Sequence, residues 1–513
     1  MLSKIFSGAT YGIDAYIVEV ETNVEKQIPG FLVVGLPDNV VKESRERVTA
    51  AIKNCGLKFP VLKITVNLAP ADIKKEGSSY DLPIAIGILA ASEQLDHQFL
   101  ESTVIVGELA LDGKLRPIKG ALPLTFQAKQ QGFKNIILPS DSVKEASIVE
   151  GINVFGFESL YEVIEMLNGS GSISPVFTPK EEIFSAHSHY LDDFSDVKGQ
   201  EQVKRALEVA AAGGHNILMI GPPGSGKSLL AKRIPSILPP LTFDEALETT
   251  KVHSVAGIMS KGQALIVERP FRNPHHTVSN AALVGGGSFP RPGEVSYAHH
   301  GVLFLDELPE FKRDVLEVMR QPLEDGKVTV SRAKMSLEFP AKFMLAAAMN
   351  PCPCGYYSDP TKNCTCSSVQ IQKYMARISG PLLDRIDIHI EVPAVKYKEL
   401  SSDAKGEPSA NIRGRVEKAR KIQHARFNSA KHIYCNAHMG TKEVRIFCAL
   451  DTAGSELIKM AMTRLGLSAR AYDRILKVSR TIADLEGSDS ILSHHVSEAI
   501  QYRSLDRELW MKN

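Results

Sequence analysis

At 513 residues, with 43% hydrophobic and 23% charged side chains, the chain has the make-up of a soluble globular protein of about two to four domains, which excludes a chain dominated by disorder. Lys+Arg 60 against Asp+Glu 59 leaves a net charge of +1, so any contact with nucleic acid has to come from a local patch and not from a basic whole. The sequence lacks an apolar stretch of about 18 residues and an apolar leader core, and four of its seven cysteines fall between 352 and 366; these features predict a cytoplasmic protein with no membrane contact and argue against a secreted disulfide framework.

Residues 1–170 read as an α+β domain. Ala15 to Val20, Phe31 to Val34 and Ile64 to Leu68 alternate as strands do, and Asn39 to Asn54 and Leu82 to Ser92 carry helical spacing. The turn-rich stretch Asp72 to Asp81, followed by Val106 to Ile118, resembles the proteolytic domain of Lon-type proteases. That resemblance puts Ser79 at the nucleophile. A serine nucleophile needs a base, in that family a lysine, and Leu122 stands at its place with Lys119 three positions early. A Lon-like fold without protease activity is therefore expected, serving as a scaffold or a DNA-facing cap, with Ser79 a turn or N-cap serine. Residues 171–197, opening on Gly and Ser and carrying two prolines, have linker composition.

Residues 198–395 hold the chemistry. The apolar run Ile217 to Ile220 leads into Gly221-Pro222-Pro223-Gly224-Ser225-Gly226-Lys227-Ser228, which matches the phosphate-cradle pattern, and helical spacing follows it. Glycines at 221, 224 and 226 allow backbone turns that a Cβ would obstruct, so successive N–H groups can face phosphate oxygens at a helix N-terminus. Lys227 would reach the β- and γ-phosphates of ATP, and Ser228 would hold Mg²⁺. A second apolar run, Gly301 to Leu308, ends in Asp306 and Glu307. Asp306 would orient the Mg²⁺ and its water shell, and Glu307 would activate the attacking water. The rival readings, a Gly-rich turn and an acidic helix start, each account for one stretch but not for both together.

The segments Phe271 to Thr277, Gly285 to Val295 and Gly301 to Leu308 resemble the magnesium-chelatase-like AAA+ ATPases, and the fused Lon-like part makes the whole chain similar to the competence-associated ComM/YifB branch of that family. The resemblance implies a hexameric ring that drives branch migration of DNA during recombination. It makes Asn350 the sensor that holds the attacking water, Arg385 a finger reaching the neighbouring subunit's ATP, and Arg470 a second-sensor contact to the γ-phosphate. It also turns the hairpin Gly326 to Glu338, with Arg332 and Lys334 at its tip, toward the central pore, where it would track single-stranded or branched DNA. The alternative for those arginines is a surface ion pair, and the tip taken alone reads as a solvated turn. Adjacent His275 and His276 are read as structural or substrate-loop residues, since neighbours point apart on a strand and share no face on a helix.

Cys352, Cys354, Cys364 and Cys366 follow Asn350 directly. Four thiolates in a compact loop suit a structural zinc ion, the alternatives being four reduced thiols or a redox pair. Residues 396–513 carry five helical patterns and read as a helical lid of the chelatase C-terminal type; the first is strongly basic, through Arg413, Arg415, Lys418, Arg420, Lys421 and Arg426.

The fold class expected is thus α/β: a P-loop parallel sheet flanked by helices, an N-terminal α+β domain and a C-terminal lid. The function expected is an ATP-driven DNA translocase or helicase. Its rivals are a chelatase-like motor remodelling a partner protein, a Lon-type protease opposed by the missing lysine, and a nucleotide-gated scaffold opposed by the intact Glu307.

Overall fold

The computed structural model describes residues 1–95, 99–170, 174–179, 190, 192–260, 262–287, 289–332, 335–357, 359, 362–395, 406–428 and 433–503. They form two compact units, Met1–Ser188 with Thr242–Val267, and His189–Leu241 with Glu268–Asn513.

In the first unit, the described residues build a seven-stranded mixed sheet in the order Gly30–Val34, Lys63–Ala69, Asp14–Glu25, Leu2–Tyr11, Thr103–Ile105, Asn135–Pro139, Asn153–Phe157. The two longest strands form an antiparallel hairpin from Leu2↔Asn23 to Tyr11↔Asp14. Alternation in Asp14–Glu25 buries Val18, Val20, Thr22 and Val24 on one face, as the period of two requires. Helix Asp81–Ala91 is apolar nearly all round and buried along its whole length, the pattern of a helix enclosed by its own core. Ser79 sits in the turn before it, and its carbonyl accepts the Gly107 amide at 2.9 Å. Leu122 is fully buried in helix Ala121–Gln130. Lys119 lays its methylenes against Gly257.

The segment Thr242–Val267, expected within the ATPase core, belongs to this first unit instead. Its helix, Phe243–Ala256, begins with a capping box in which Thr242 and Glu245 satisfy each other's backbone amides. Leu247 packs into the core around helix Ala121–Gln130, Lys251 lies 5.0 Å from the Phe126 ring centre, and the Gly120 amide donates to the Ser254 carbonyl at 3.2 Å. A capping box and a helical pattern state that a helix forms here; they do not state which core it joins.

Glu145 is buried at this junction and accepts from the Ser254 hydroxyl at 3.1 Å. Burial pushes its carboxyl up to about 7, against the pull of Ser254 and the amides of Ala121 and Leu122. A carboxyl raised in the folded state favours folding below its unfolded pKa, and that advantage is lost as pH climbs through about 7. Glu145→Gln is therefore expected to match the parent near pH 4 and to exceed it at pH 8 by roughly 3 kcal/mol, read from denaturant melts at both pH values; equal stability at pH 8 would remove the buried-acid reading.

In the second unit, five parallel strands lie in the order Phe271–Arg272, Val302–Leu305, Met344–Met349, Ile217–Ile220, Ile388–Glu391. The strands are continuous apolar runs, as strands covered on both faces must be. The order of strand addition switches at Ile217–Ile220: the following strands fill in from the far edge on one side, and Ile388–Glu391 lies on the other. The crevice at the C-terminal ends beside this first strand is where such sheets bind ligands.

Helices Ser409–Arg426, Thr441–Phe447, Thr452–Leu465, Ala469–Glu486 and Ser493–Gln501 bear out the helical lid. They share one core with the sheet, through Ile412, Val416, Ile475 and Ile482 against Val203, Leu207 and Ile217. The end of the segment read as linker also joins this core, since Phe194 and Val197 are buried in it. Three arginines of the basic helix are engaged within the chain: Arg415 pairs with Glu208 and Glu407, Arg426 with Asp484, and Arg420 donates to the carbonyls of Ala211 and Tyr434, while Lys418 and Lys421 are exposed. No described helix is long and apolar enough to cross a membrane.

Candidate active site

The phosphate loop leaves strand Ile217–Ile220 at its C-terminal end. Gly221 has to be glycine because a Cβ there would meet the Val392 carbonyl oxygen at 2.2 Å, and Gly226, at φ +88, turns the chain into helix Lys227–Ile237. Lys227 is buried, and its ammonium donates to the carbonyls of Gly221 at 2.7 Å and Pro222 at 3.0 Å and to Asn350 Oδ1 at 3.2 Å. Burial lowers its pKa, opposed by Asp306. A cation held among neutral carbonyls with its desolvation only partly offset is well placed to gain from an arriving phosphate.

Strand Val302–Leu305, two places along the sheet, delivers the acids. The Ser228 hydroxyl donates to Asp306 Oδ2 at 2.6 Å, so the two residues expected to share a magnesium ion stand together at the helix N-terminus. Hydroxyl and carboxylate oxygens are the hard donors that Mg²⁺ takes, alongside phosphate and water. Glu307 adopts φ +52, an uncommon backbone state for a residue with a Cβ. Its side chain is 59% exposed. Asn350 ends strand Met344–Met349, the central strand between the two motifs. Three sequence stretches spread over more than a hundred positions thus converge on one crevice.

His276 also belongs to this group, and its Nδ1 lies 3.3 Å from Glu307 Oε2. The sequence reading missed it. His275 and His276 sit in a loop, where neither the strand nor the helix rule for neighbouring side chains applies, and their rings lie 4.1 Å apart, with Phe311 edge-on to His276. The separation of 31 positions from Glu307 leaves no local signal.

Arg385 and Arg470 are elsewhere. Arg385 precedes strand Ile388–Glu391, which runs parallel to Ile217–Ile220 in register from Ile217↔Ile388 to Ile220↔Glu391, and the Asn216 amide side chain holds the Arg385 carbonyl at 2.9 Å. The arginine therefore lies at the N-terminal ends of the strands and the phosphate loop at the C-terminal ends, with four residues, about 13 Å of strand, between them. Arg385 is nearly buried, pairing with Glu324 and donating to the Pro381 carbonyl. Arg470, 63% exposed, approaches Asp384 at 3.8 Å. Arg385, Arg470, Arg474 and Lys477 line one pocket with Glu324 and Asp473. The Nε atoms of Arg385 and Arg474 are buried with no hydrogen-bond partner among the described residues. Behind this cluster Asp387 binds Arg474 and His215; burial would raise its carboxyl, but Arg474 and His215 hold it well below the usual carboxylate range.

The hairpin strands Lys327–Arg332 and Met335–Pro340 pair antiparallel. Arg332 is exposed near the tip and donates to the Gly287 carbonyl at 3.0 Å; Lys334 lies outside the described residues. The four cysteines, by contrast, come together as their spacing suggested, with every sulfur within 4.8 Å of the others.

A five-stranded parallel sheet with this phosphate loop, acid pair and helical lid is the ATP-binding module of an AAA+ ATPase. Residues 193–400 match the family described as magnesium chelatase, subunit ChlI, residues 406–503 its C-terminal part, and residues 20–142 subunit ChlI of Mg-chelatase. The chain belongs to this magnesium-chelatase-like AAA+ family, in the ComM/YifB branch. It is 46% identical to competence protein ComM of Haemophilus influenzae over 99% of this chain and 98% of that protein, and 45% identical to YifB of Escherichia coli with the same coverage. Lon protease 2 of Bacillus subtilis is 32% identical over 25% of this chain and 23% of its own length, a likeness confined to a single stretch.

Proposed function

We propose that the chain works as a homo-oligomeric ring, a hexamer, in which each ATP sits between two subunits. Gly221 to Ser228, with Asp306, Glu307 and Asn350, hold ATP and Mg²⁺ in one subunit; Arg385 and Arg470 reach it from the next. The observation that carries this reading is the separation of the arginine cluster from its own phosphate loop by the length of the sheet. Arginines gathered in a pocket with unspent donors, yet unable to reach the nucleotide of their own chain, fit a neighbour's γ-phosphate. Arg470, expected as a γ-phosphate contact, lines the same pocket as Arg385, which supports giving it the neighbour's ATP as well.

Hydrolysis in such a ring drives movement along single-stranded or branched DNA in the cytoplasm, as branch migration of recombination intermediates in natural transformation. The full-length likeness to a competence protein supports this, and so does the exposed Arg332 near a hairpin tip. The N-terminal unit serves as scaffold or DNA-facing cap without protease activity, in keeping with the buried Leu122 where a Lon-type base would stand. The ATPase rate with and without single-stranded and branched DNA, across a salt titration, tests the DNA half of the proposal. Stimulation that fades steeply with salt is expected. A rate indifferent to DNA would turn the reading to a chelatase-like motor acting on a partner protein.

A further inference from the structure

The cysteine loop touches the nucleotide site at two points. Strand Met344–Met349 runs into Asn350, whose side chain holds Lys227, and Cys352 follows two residues on. The Sγ atoms lie 3.3 Å apart for Cys352 and Cys354, 3.5 Å for Cys354 and Cys364, and 3.7 Å for Cys352 and Cys364. Sulfurs about 2.3 Å from a central zinc stand about 3.8 Å from each other in a tetrahedron, so the group is already close to ligand geometry. Backbone amides also point at the sulfurs: Cys354 N to Cys366 Sγ at 3.4 Å and Gly355 N to Cys352 Sγ at 3.2 Å. Such donors stabilise charge on metal-bound thiolates. Four soft ligands select zinc over magnesium, and a full set leaves no position for catalysis.

The second contact is Gly355. It turns the loop at φ +86, and a Cβ there would stand 2.4 Å from Cδ and 2.7 Å from Cγ of Pro223, in the middle of the phosphate loop. The residue after the second cysteine therefore rests on the cradle itself. We propose that Cys352, Cys354, Cys364 and Cys366 bind one zinc ion, and that the metal sets the affinity for ATP by fixing Gly355 against Pro223 and Asn350 against Lys227. This rests on the phosphate-loop reading above, and the test separates the two.

Full-length protein purified under reducing conditions should carry one zinc per chain by elemental analysis. Cys364→Ser with Cys366→Ser, ligands remote from Pro223 in sequence, should lose the zinc and weaken ATP binding about tenfold, the scale of outer-shell effects. Should that variant fail to fold, stripping the parent with a soft-metal chelator in excess Mg²⁺ gives the same comparison, reversed by added zinc. Gly355→Ala should keep the zinc and still weaken ATP binding, which a merely structural zinc knuckle would not produce. Lys227→Ala should lose ATP and keep zinc; ATP binding retained there would overturn the phosphate-loop reading. Reduced parent protein free of zinc would overturn the metal site. Zinc-free protein that binds ATP as tightly as the parent would overturn the coupling.

Discussion

Glu307→Gln is expected to lower ATP turnover by roughly 10²- to 10⁴-fold, the scale of a lost general base, while leaving nucleotide affinity close to that of the parent. The change keeps size and hydrogen-bonding reach but removes the basicity that would take a proton from the attacking water. Affinity should survive because the groups that would meet the phosphates and the metal, Lys227, Ser228 and Asp306, are tied to one another and to Asn350 without help from Glu307. The fold should survive as well, because the Glu307 side chain is more than half exposed and lies against the half-buried His276. Steady-state hydrolysis alongside binding of a fluorescent ATP analogue separates the two effects. Full turnover would place the base on another residue, and lost binding would mean that the carboxylate serves the metal instead.

Mixing two inactive variants should restore activity. Lys227→Ala removes the phosphate contact of a subunit's own site, and Arg470→Ala removes an exposed arginine on the far side of the sheet. If Arg470 serves the neighbour's ATP, each homomeric ring is dead and a mixed ring is not. Wherever an Arg470→Ala subunit, with its intact phosphate loop, meets a Lys227→Ala subunit, with its intact arginine, one working site forms. Random mixing makes about a quarter of interfaces of this kind, against a loss of about 10³-fold or more when the arginine is removed everywhere. Arg385→Ala should behave alike, but it strips the partner from Glu324 within the same chain, so Arg470 is the cleaner probe. A mixture as inactive as its components would place Arg470 at its own subunit's nucleotide.

How much of this was legible in the sequence depended on distance along the chain. The phosphate loop and the acid pair are contiguous, and the physics that makes them work also fixes their spelling: glycines where the backbone crowds, an apolar strand before, a helix after. The cysteine pairs were legible for the same reason. His276 was not, because its meeting with Glu307 is made by the sheet order and not by spacing. Neither was the side of the sheet on which Arg470 falls, since a helical pattern beginning at Ser468 says nothing about which strand ends it packs over. The contact of Gly355 with Pro223 joins two loops more than a hundred positions apart, and its only local trace is a glycine among cysteines.

The excursion of residues 242–267 bears on what can be cut from this chain. The polypeptide enters the second unit near residue 190, leaves it after the helix that follows the phosphate loop, contributes a helix to the first unit's core, and returns to supply the next strand of the sheet. The two units are therefore interleaved, not strung in tandem. A truncation at the apparent boundary would keep helix Phe243–Ala256 and delete the surface it buries, leaving Leu247 and Ser254 facing solvent. Such a fragment would aggregate for reasons unrelated to its chemistry, and inactivity in it would say nothing about what the N-terminal unit contributes. The same threading limits recombination between relatives: an exchange of residues 1–188 must carry 242–267 with it, so the two stretches are expected to be inherited as a pair.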